Sequence, residues 1–195
     1  LIPTPKHFPG RGDSDIDAHA ELPVVEGDME RLEKIELYPY RVLIENGVES
    51  IMLAHTAVPA IDSSMEISTV SKPIVTGLLR ETLGFDGVIT TDSITMGALM
   101  KKYGVGKACA KAIEAGCDLV LNKTEDEFRD QSFCELKRFV QEGIIPQQQF
   151  EDSVKRILRM KYDRGILQRK GKVNSEKASE PMHRKEIINI SRDTA

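Results

Sequence analysis

The chain of 195 residues has no tryptophan, and aromatic side chains make up only 5% of it. Its core must therefore be built mainly from aliphatic residues. Three cysteines, Cys109, Cys117 and Cys134, are too few and odd in number for a disulfide framework, and their helix-like or strand-like surroundings read as buried thiols. No apolar run approaches the ~20 residues that a membrane-crossing helix requires. Positive charge is not in excess either: 27 basic against 31 acidic residues leave a net charge of −4, mixed along the chain. With no basic stripe, nucleic acid and anionic membrane surfaces are not expected as partners.

What is present is a chain 40% hydrophobic, long enough for one good-sized domain. Short apolar runs alternate with helical periodicity, the signature of an α/β fold with a parallel sheet. Strands are expected at Leu1–Pro5, Ser50–Ala54, Val88–Thr91 and Asp118–Leu121. Helices are expected at Met29–Asn46, Pro73–Leu83, Val105–Ala115, Glu125–Gln141 and Gln147–Arg164. Gly47, Gly84 and Gly116 stand where helices should stop, and Pro73 and Pro146 stand where they should start. The strands are continuous apolar runs, as expected when protein covers both faces. Four such units make either half of an eightfold barrel or a small open sheet. Beyond Leu167 the sequence turns polar and charged, and residues 168–195 read as a linker.

In parallel α/β barrels, reacting groups gather on loops leaving the carboxyl ends of the strands. That rule selects the opening "KHFPGRGDSDIDAH", the "AHT" after Ser50–Ala54, and the "TTDSITM" that contains Asp92. Asp92, at the tip of an apolar run, points to a carboxylate at the barrel mouth; the alternative is a helix N-cap. His19 lies two residues after Asp17, a spacing that lets a carboxylate hold the imidazole tautomer and raise its proton affinity. As a pattern D-x-H is common, and glycine-rich aspartate loops are usually solvated turns. A metal site of His7, His19, His55 and Asp92 lacks the H-x-H pairing at a strand end, and His55 reads more simply as a structural residue. Met96, Leu99 and Met100 read as helix packing or barrel lining.

The opening motif followed by Leu22-Pro23, together with "IMLAHTAVPAID", "LGFDGVITTDSITMGAL" and "AIEAGCDLVL", closely resembles the bacterial family 3 glycoside hydrolases, in their β-N-acetylhexosaminidase branch. The resemblance runs from Leu1 to about Leu167. It implies the C-terminal half of a (β/α)8 TIM barrel, strands five to eight in four βα units over 1–167, with 168–195 leading toward a further domain. It makes Asp92 the nucleophile, His19 the general acid/base and Asp17 its partner, and it puts Lys6 and His7 on sugar hydroxyls. The implied reaction is retaining cleavage of terminal N-acetyl-β-D-glucosaminides without metal or cofactor, on an N-acetylglucosamine-containing saccharide or muropeptide. Because neutral imidazole does not repel an anion, phosphate is an alternative acceptor to water.

Two positions depart from the family pattern. Arg11 stands where histidine is usual, which changes the charge of the loop, and Ala18 replaces the usual serine between the dyad members. The sugar-contacting Asp and Arg of the family's earlier strands have no counterpart here. Half a barrel leaves strand edges open, so a fragment of a larger enzyme, a complementary half or a second copy is expected to cover them. A half-barrel serving only as an assembly unit, without catalysis, is the rival reading. The compartment is left open, with the cytoplasm favoured over the envelope or exterior.

Overall fold

The computed structural model describes residues 1–14, 22–123 and 126–169. The chain divides into two units, Leu1–Met160 and Lys161–Ala195. The second is described only to Arg169 and includes a short helix, α7 (Ile166–Arg169). The first carries a three-stranded parallel sheet and the helices around it.

The strands are β1 (Ser50–Met52), β2 (Val88–Ser93) and β3 (Leu119–Leu121), in the spatial order β1-β2-β3. Ser50 pairs with Val88 and Met52 with Thr90, and Thr90 pairs in turn with Leu119. The expected first strand is displaced. Leu1–Pro5 forms no regular strand, because Pro3 and Pro5 have no N–H to donate. Pairing begins instead where the prolines stop. Met52 N–H donates to the Pro5 carbonyl at 3.0 Å, Phe8 N–H to the Met52 carbonyl at 2.8 Å, and Ala54 N–H to the Phe8 carbonyl at 2.6 Å. The opening segment thus runs parallel to β1 on the edge away from β2.

The single helix expected over Met29–Asn46 is two, α1 (Met29–Lys34) and α2 (Tyr38–Glu45). Pro39 explains the break: it is an N-terminal residue of α2, and its ring would clash with the Ile35 carbonyl of a continuous helix. Asp28 caps α1 through the Arg31 N–H. Pro73–Thr82 is helical as expected but wound as a π-helix, closed by a bond from Leu83 N–H to the Leu78 carbonyl. α3 (Gly97–Tyr103) and α4 (Val105–Ala115) follow β2, and α5 (Asp126–Gln141) and α6 (Gln147–Asp163) follow β3.

The core joins Ile51, Leu53 and Ile89 of the sheet region to Ile74 and Leu79 of the π-helix and Leu99 of α3. Phe8, fully buried, meets Tyr40 edge-on with ring centroids 5.0 Å apart. The small residues of α4 allow close approach: a Cβ on Gly106 would lie 3.0 Å from the Gln131 carbonyl oxygen of α5. Gly116 ends α4 at φ +116°, where a Cβ would also strike Thr76 Oγ1 at 2.6 Å.

β1 and β2 are largely buried, but β3 is not. Leu119 and Leu121 are 39% and 45% exposed, so the expectation of strands covered on both faces fails at this border. Just before it, Asp118 is fully enclosed. Its carboxylate accepts the Ile89 N–H at 2.8 Å and Arg156 at 3.0 Å, and pairs with Arg80, whose guanidinium also bonds the carbonyls of Phe85 and Gly87. One buried acid thereby ties β2, the π-helix and α6 together at the start of β3. Cys109 and Cys117 are buried thiols, whereas Cys134 faces solvent from α5, correcting the expectation for that residue. Among the described residues no helix is long and apolar enough to cross a membrane.

Candidate active site

The site starts from an irregularity in β2. Thr90 pairs with Leu119 and Ser93 with Leu121, so β2 uses one more residue than β3 across this interval. The Thr91 hydroxyl fills the resulting gap by accepting the Leu121 N–H at 2.9 Å, and the ladder resumes where Ile94 N–H meets the Leu121 carbonyl. Such a bulge bends the strand and re-aims the side chains beside it. Here it carries Asp92, the penultimate residue of β2.

Asp92 does not cap a helix. α3 begins at Gly97, and its N-cap Met96 makes no side-chain capping bond. The Asp92 carboxylate instead accepts the Ser93 N–H on Oδ1 at 2.7 Å and stays 22% exposed. Its second oxygen, Oδ2, lies 3.1 Å from His7 Nε2. Burial lowers the His7 pKa below its usual 6.5; the Asp92 charge opposes this, and the nearby Lys6 and Arg11 charges add to it. At neutral pH the ring is therefore uncharged, and the contact is a hydrogen bond from Nε2–H rather than an ion pair. The opening segment and the tip of β2 thus meet on one rim of the sheet.

His55 supports this rim from below. It is buried just beyond β1, and its Nε2 is 2.9 Å from the Ser93 carbonyl, which can only accept, so Nε2 carries the proton. Nδ1 faces Thr69 Oγ1 at 2.7 Å, and that hydroxyl also lies 2.9 Å from the Ala54 carbonyl. His55 thus connects the end of β1 to the residue after Asp92. With both nitrogens engaged by protein atoms, it fits the structural reading better than the metal-ligand one. Among the described residues, no group of three or more His, Cys, Asp or Glu side chains is placed to hold a metal ion.

A small cleft opens at this rim. His7, Arg11 and Asp92 form its polar wall, with His55 and Thr56 beneath them and Ala54 and Met96 supplying apolar contact. It encloses about 20 Å³, room for one water, whereas small-molecule pockets run to about 300 Å³ or more. These walls alone do not enclose a sugar. Lys6 is exposed and does not line the cleft. Asp17 and His19 lie outside the described residues. Arg11, Thr56 and Met96 are the additions: Arg11 carried a sequence signal as a departure from pattern, Met96 read as packing, and Thr56 stood out only as part of the "AHT" loop. A larger apolar groove of about 210 Å³ between α5 and α6, lined by Phe133, Leu136, Val140 and Phe150, offers no acid, histidine or thiol.

The Glycosyl hydrolase family 3 N terminal domain matches residues 1–160. Beta-hexosaminidase A of Pseudoalteromonas piscicida is 30% identical over 173 residues, covering 80% of this chain and 29% of that protein. A family 3 beta-N-acetylglucosaminidase structure from Paenibacillus sp. str. FPU-7 superposes with a TM-score of 0.83 at 40% identity, covering 85% of this chain and 32% of that one. The beta-glucoside phosphorylase BglX superposes at 0.85 with 26% identity, covering 97% of this chain and 35% of that one. The chain therefore spans about a third of the length of these relatives. With a family match over most of its residues and a cleft of histidine and aspartate at the ends of parallel strands, the chain belongs to glycosyl hydrolase family 3.

Proposed function

We propose that this chain carries the reacting groups of a retaining β-N-acetylhexosaminidase acting on terminal N-acetyl-β-D-glucosaminides. Asp92 is the nucleophile. Its carboxylate bonds to the anomeric carbon as the glycosidic C–O bond breaks, forming a glycosyl ester. His19, oriented by Asp17, gives its proton to the departing oxygen. It then takes a proton from the water that attacks the anomeric carbon and releases Asp92 as a carboxylate. Lys6 and His7 bind sugar hydroxyls.

The contact between His7 and Asp92 carries this reading. It brings the root of the opening motif to the rim that holds the acid, as a His19–Asp92 pair acting across one sugar requires. The beta-hexosaminidase named above supports the substrate class.

Residues 1–167 are read as strands five to eight of a (β/α)8 barrel, and 168–195 as a linker toward a further domain. Four parallel segments in sequence order, the exposed leucines of β3 and the undersized cleft all favour this. A complementary half-barrel, or a second copy of this chain, supplies the remaining walls. Two other readings each have an observation in their favour. Phosphorolysis is favoured by the likeness to a beta-glucoside phosphorylase, and a non-catalytic assembly unit by the incomplete cleft.

The test is release of aryl alcohol from an aryl N-acetyl-β-glucosaminide by the full chain, with Asp92→Ala as control. Turnover that Asp92→Ala abolishes supports the glycosidase. Sugar 1-phosphate formed only with added phosphate selects phosphorolysis. No turnover by the folded wild-type chain once the remaining barrel walls are supplied, by a second copy or by a complementary half, selects the assembly unit.

A further inference from the structure

Arg11 is exposed and lines the same cleft as His7 and Asp92. Among the described residues no carboxylate pairs with its guanidinium, whose five N–H donors suit an anion. Its positive charge and that of Lys6 both act on His7. Among the described residues the carboxylate that shares the cleft wall with Arg11 is Asp92. When Asp92 is esterified its negative charge disappears, and the positive charge of Arg11 is less opposed at the stage when a second group must approach the anomeric carbon.

We propose that Arg11 forms an oxyanion site beside Asp92, opened by neutralisation of Asp92, that recognises a carboxylate or phosphate on the group leaving or entering the anomeric carbon. A guanidinium suits either ligand, because its parallel N–H pairs match two oxygens of one planar or tetrahedral anion. If phosphate enters, one of its oxygens bonds to the anomeric carbon as the bond to Asp92 breaks, and Asp92 departs with the electron pair as a carboxylate. The inference takes its role in the reaction from the glycosidase reading, but the binding it asserts is independent of turnover.

The test titrates inorganic phosphate, and separately benzoate, into the full chain by calorimetry. Asp92→Asn removes the charge, as esterification does, with little change in shape. We expect it to bind either anion about tenfold more tightly than the wild type. Asp92→Asn/Arg11→Gln should lose that gain, and Asp92→Asn/Arg11→Lys should keep part of it. Thermal unfolding of each variant checks that it is folded. Equal binding with and without Arg11 would overturn the proposal, as would no tightening on neutralising Asp92.

Kinetics then separates the two sources. An Arg11→Gln fall in the preference for a ring-carboxylated over a neutral aryl N-acetyl-β-glucosaminide marks the leaving group, whereas a fall in the share of sugar 1-phosphate marks the entering one. If Arg11 serves only to pair with an acid of residues 15–21, both ratios stay at the wild-type value, and the proposal fails. Absence of any turnover with the remaining barrel walls supplied would refute the glycosidase reading and leave the binding result standing.

Discussion

The side-chain hydroxyl of Thr91, not a backbone carbonyl, receives the N–H of Leu121 at 2.9 Å. This single bond bridges the bulge that carries Asp92. Thr91→Val keeps the shape of the side chain and removes the acceptor. Because Leu121 is itself partly open to water, the loss should fall near the low end for a broken hydrogen bond, about 1 kcal/mol. Urea unfolding measures it, and Thr91→Ser should restore most of it. An unchanged urea midpoint in Thr91→Val would mean the hydroxyl does not hold the bulge.

Asp92→Ala should lower aryl glycoside turnover by on the order of 10³-fold or more, the scale seen when a reacting group is removed from a catalytic constellation. Stability should change little, since Asp92 is partly exposed and caps no helix. A variant that retains a tenth of wild-type turnover would remove Asp92 from the nucleophile's role.

The His7 ring has a folded pKa below its unfolded value of 6.5, chiefly through burial. At pH values between the two, the unfolded chain holds more protons than the folded one, so stability rises with pH across that window. The contribution is complete above pH 6.5 and is lost as pH falls through the folded value. His7→Gln should flatten the acid side of the curve of unfolding free energy against pH. An identical slope in wild type and variant would contradict the assignment.

Asp118→Asn should be the most destabilising single change to a polar residue. The variant leaves two arginines, both largely withdrawn from water, without their counter-charge, and breaking a buried pair costs about 3–5 kcal/mol. Chemical denaturation of the variant gives the value. A loss below 1 kcal/mol would show that solvent reaches the cluster.

Thiol labelling should be sharply uneven. Burial pushes the Cys109 thiol up to about 11 and Cys117 well above its normal range, while Cys134 is exposed. The thiolate is the reacting form, so a thiol reagent at pH 8 should modify Cys134 quickly and the other two only on unfolding. Mass spectrometry showing three equally fast sites would exclude the packing around α4.

Much of this fold was readable because its signals are local. Glycine and proline mark where helices stop and start, and the short apolar runs of β1, β2 and β3 stand out against them. Two readings failed for reasons of single residues. Pro39 divides a stretch whose hydrophobic period looks continuous, and Pro3 and Pro5 push the first parallel pairing along to Phe8. At the site, Asp92 and His7 were legible as types at strand ends. The bulge was not, because it depends on the register of β2 against a strand some thirty positions away. Arg11 was visible only as an unexpected residue, and its place in the cleft required coordinates. The roles of Met96 and Thr56 likewise depend on the turn of backbone that follows each strand.

The uncovered leucines of β3 affect how the chain must be handled during synthesis and purification. A border strand with exposed greasy side chains invites another chain to dock in register and can seed stacking between molecules. Until a neighbour claims that border, protein concentration should govern how long the chain survives intact, and placing a lysine at position 119 or 121 should lengthen its shelf life while blocking productive assembly.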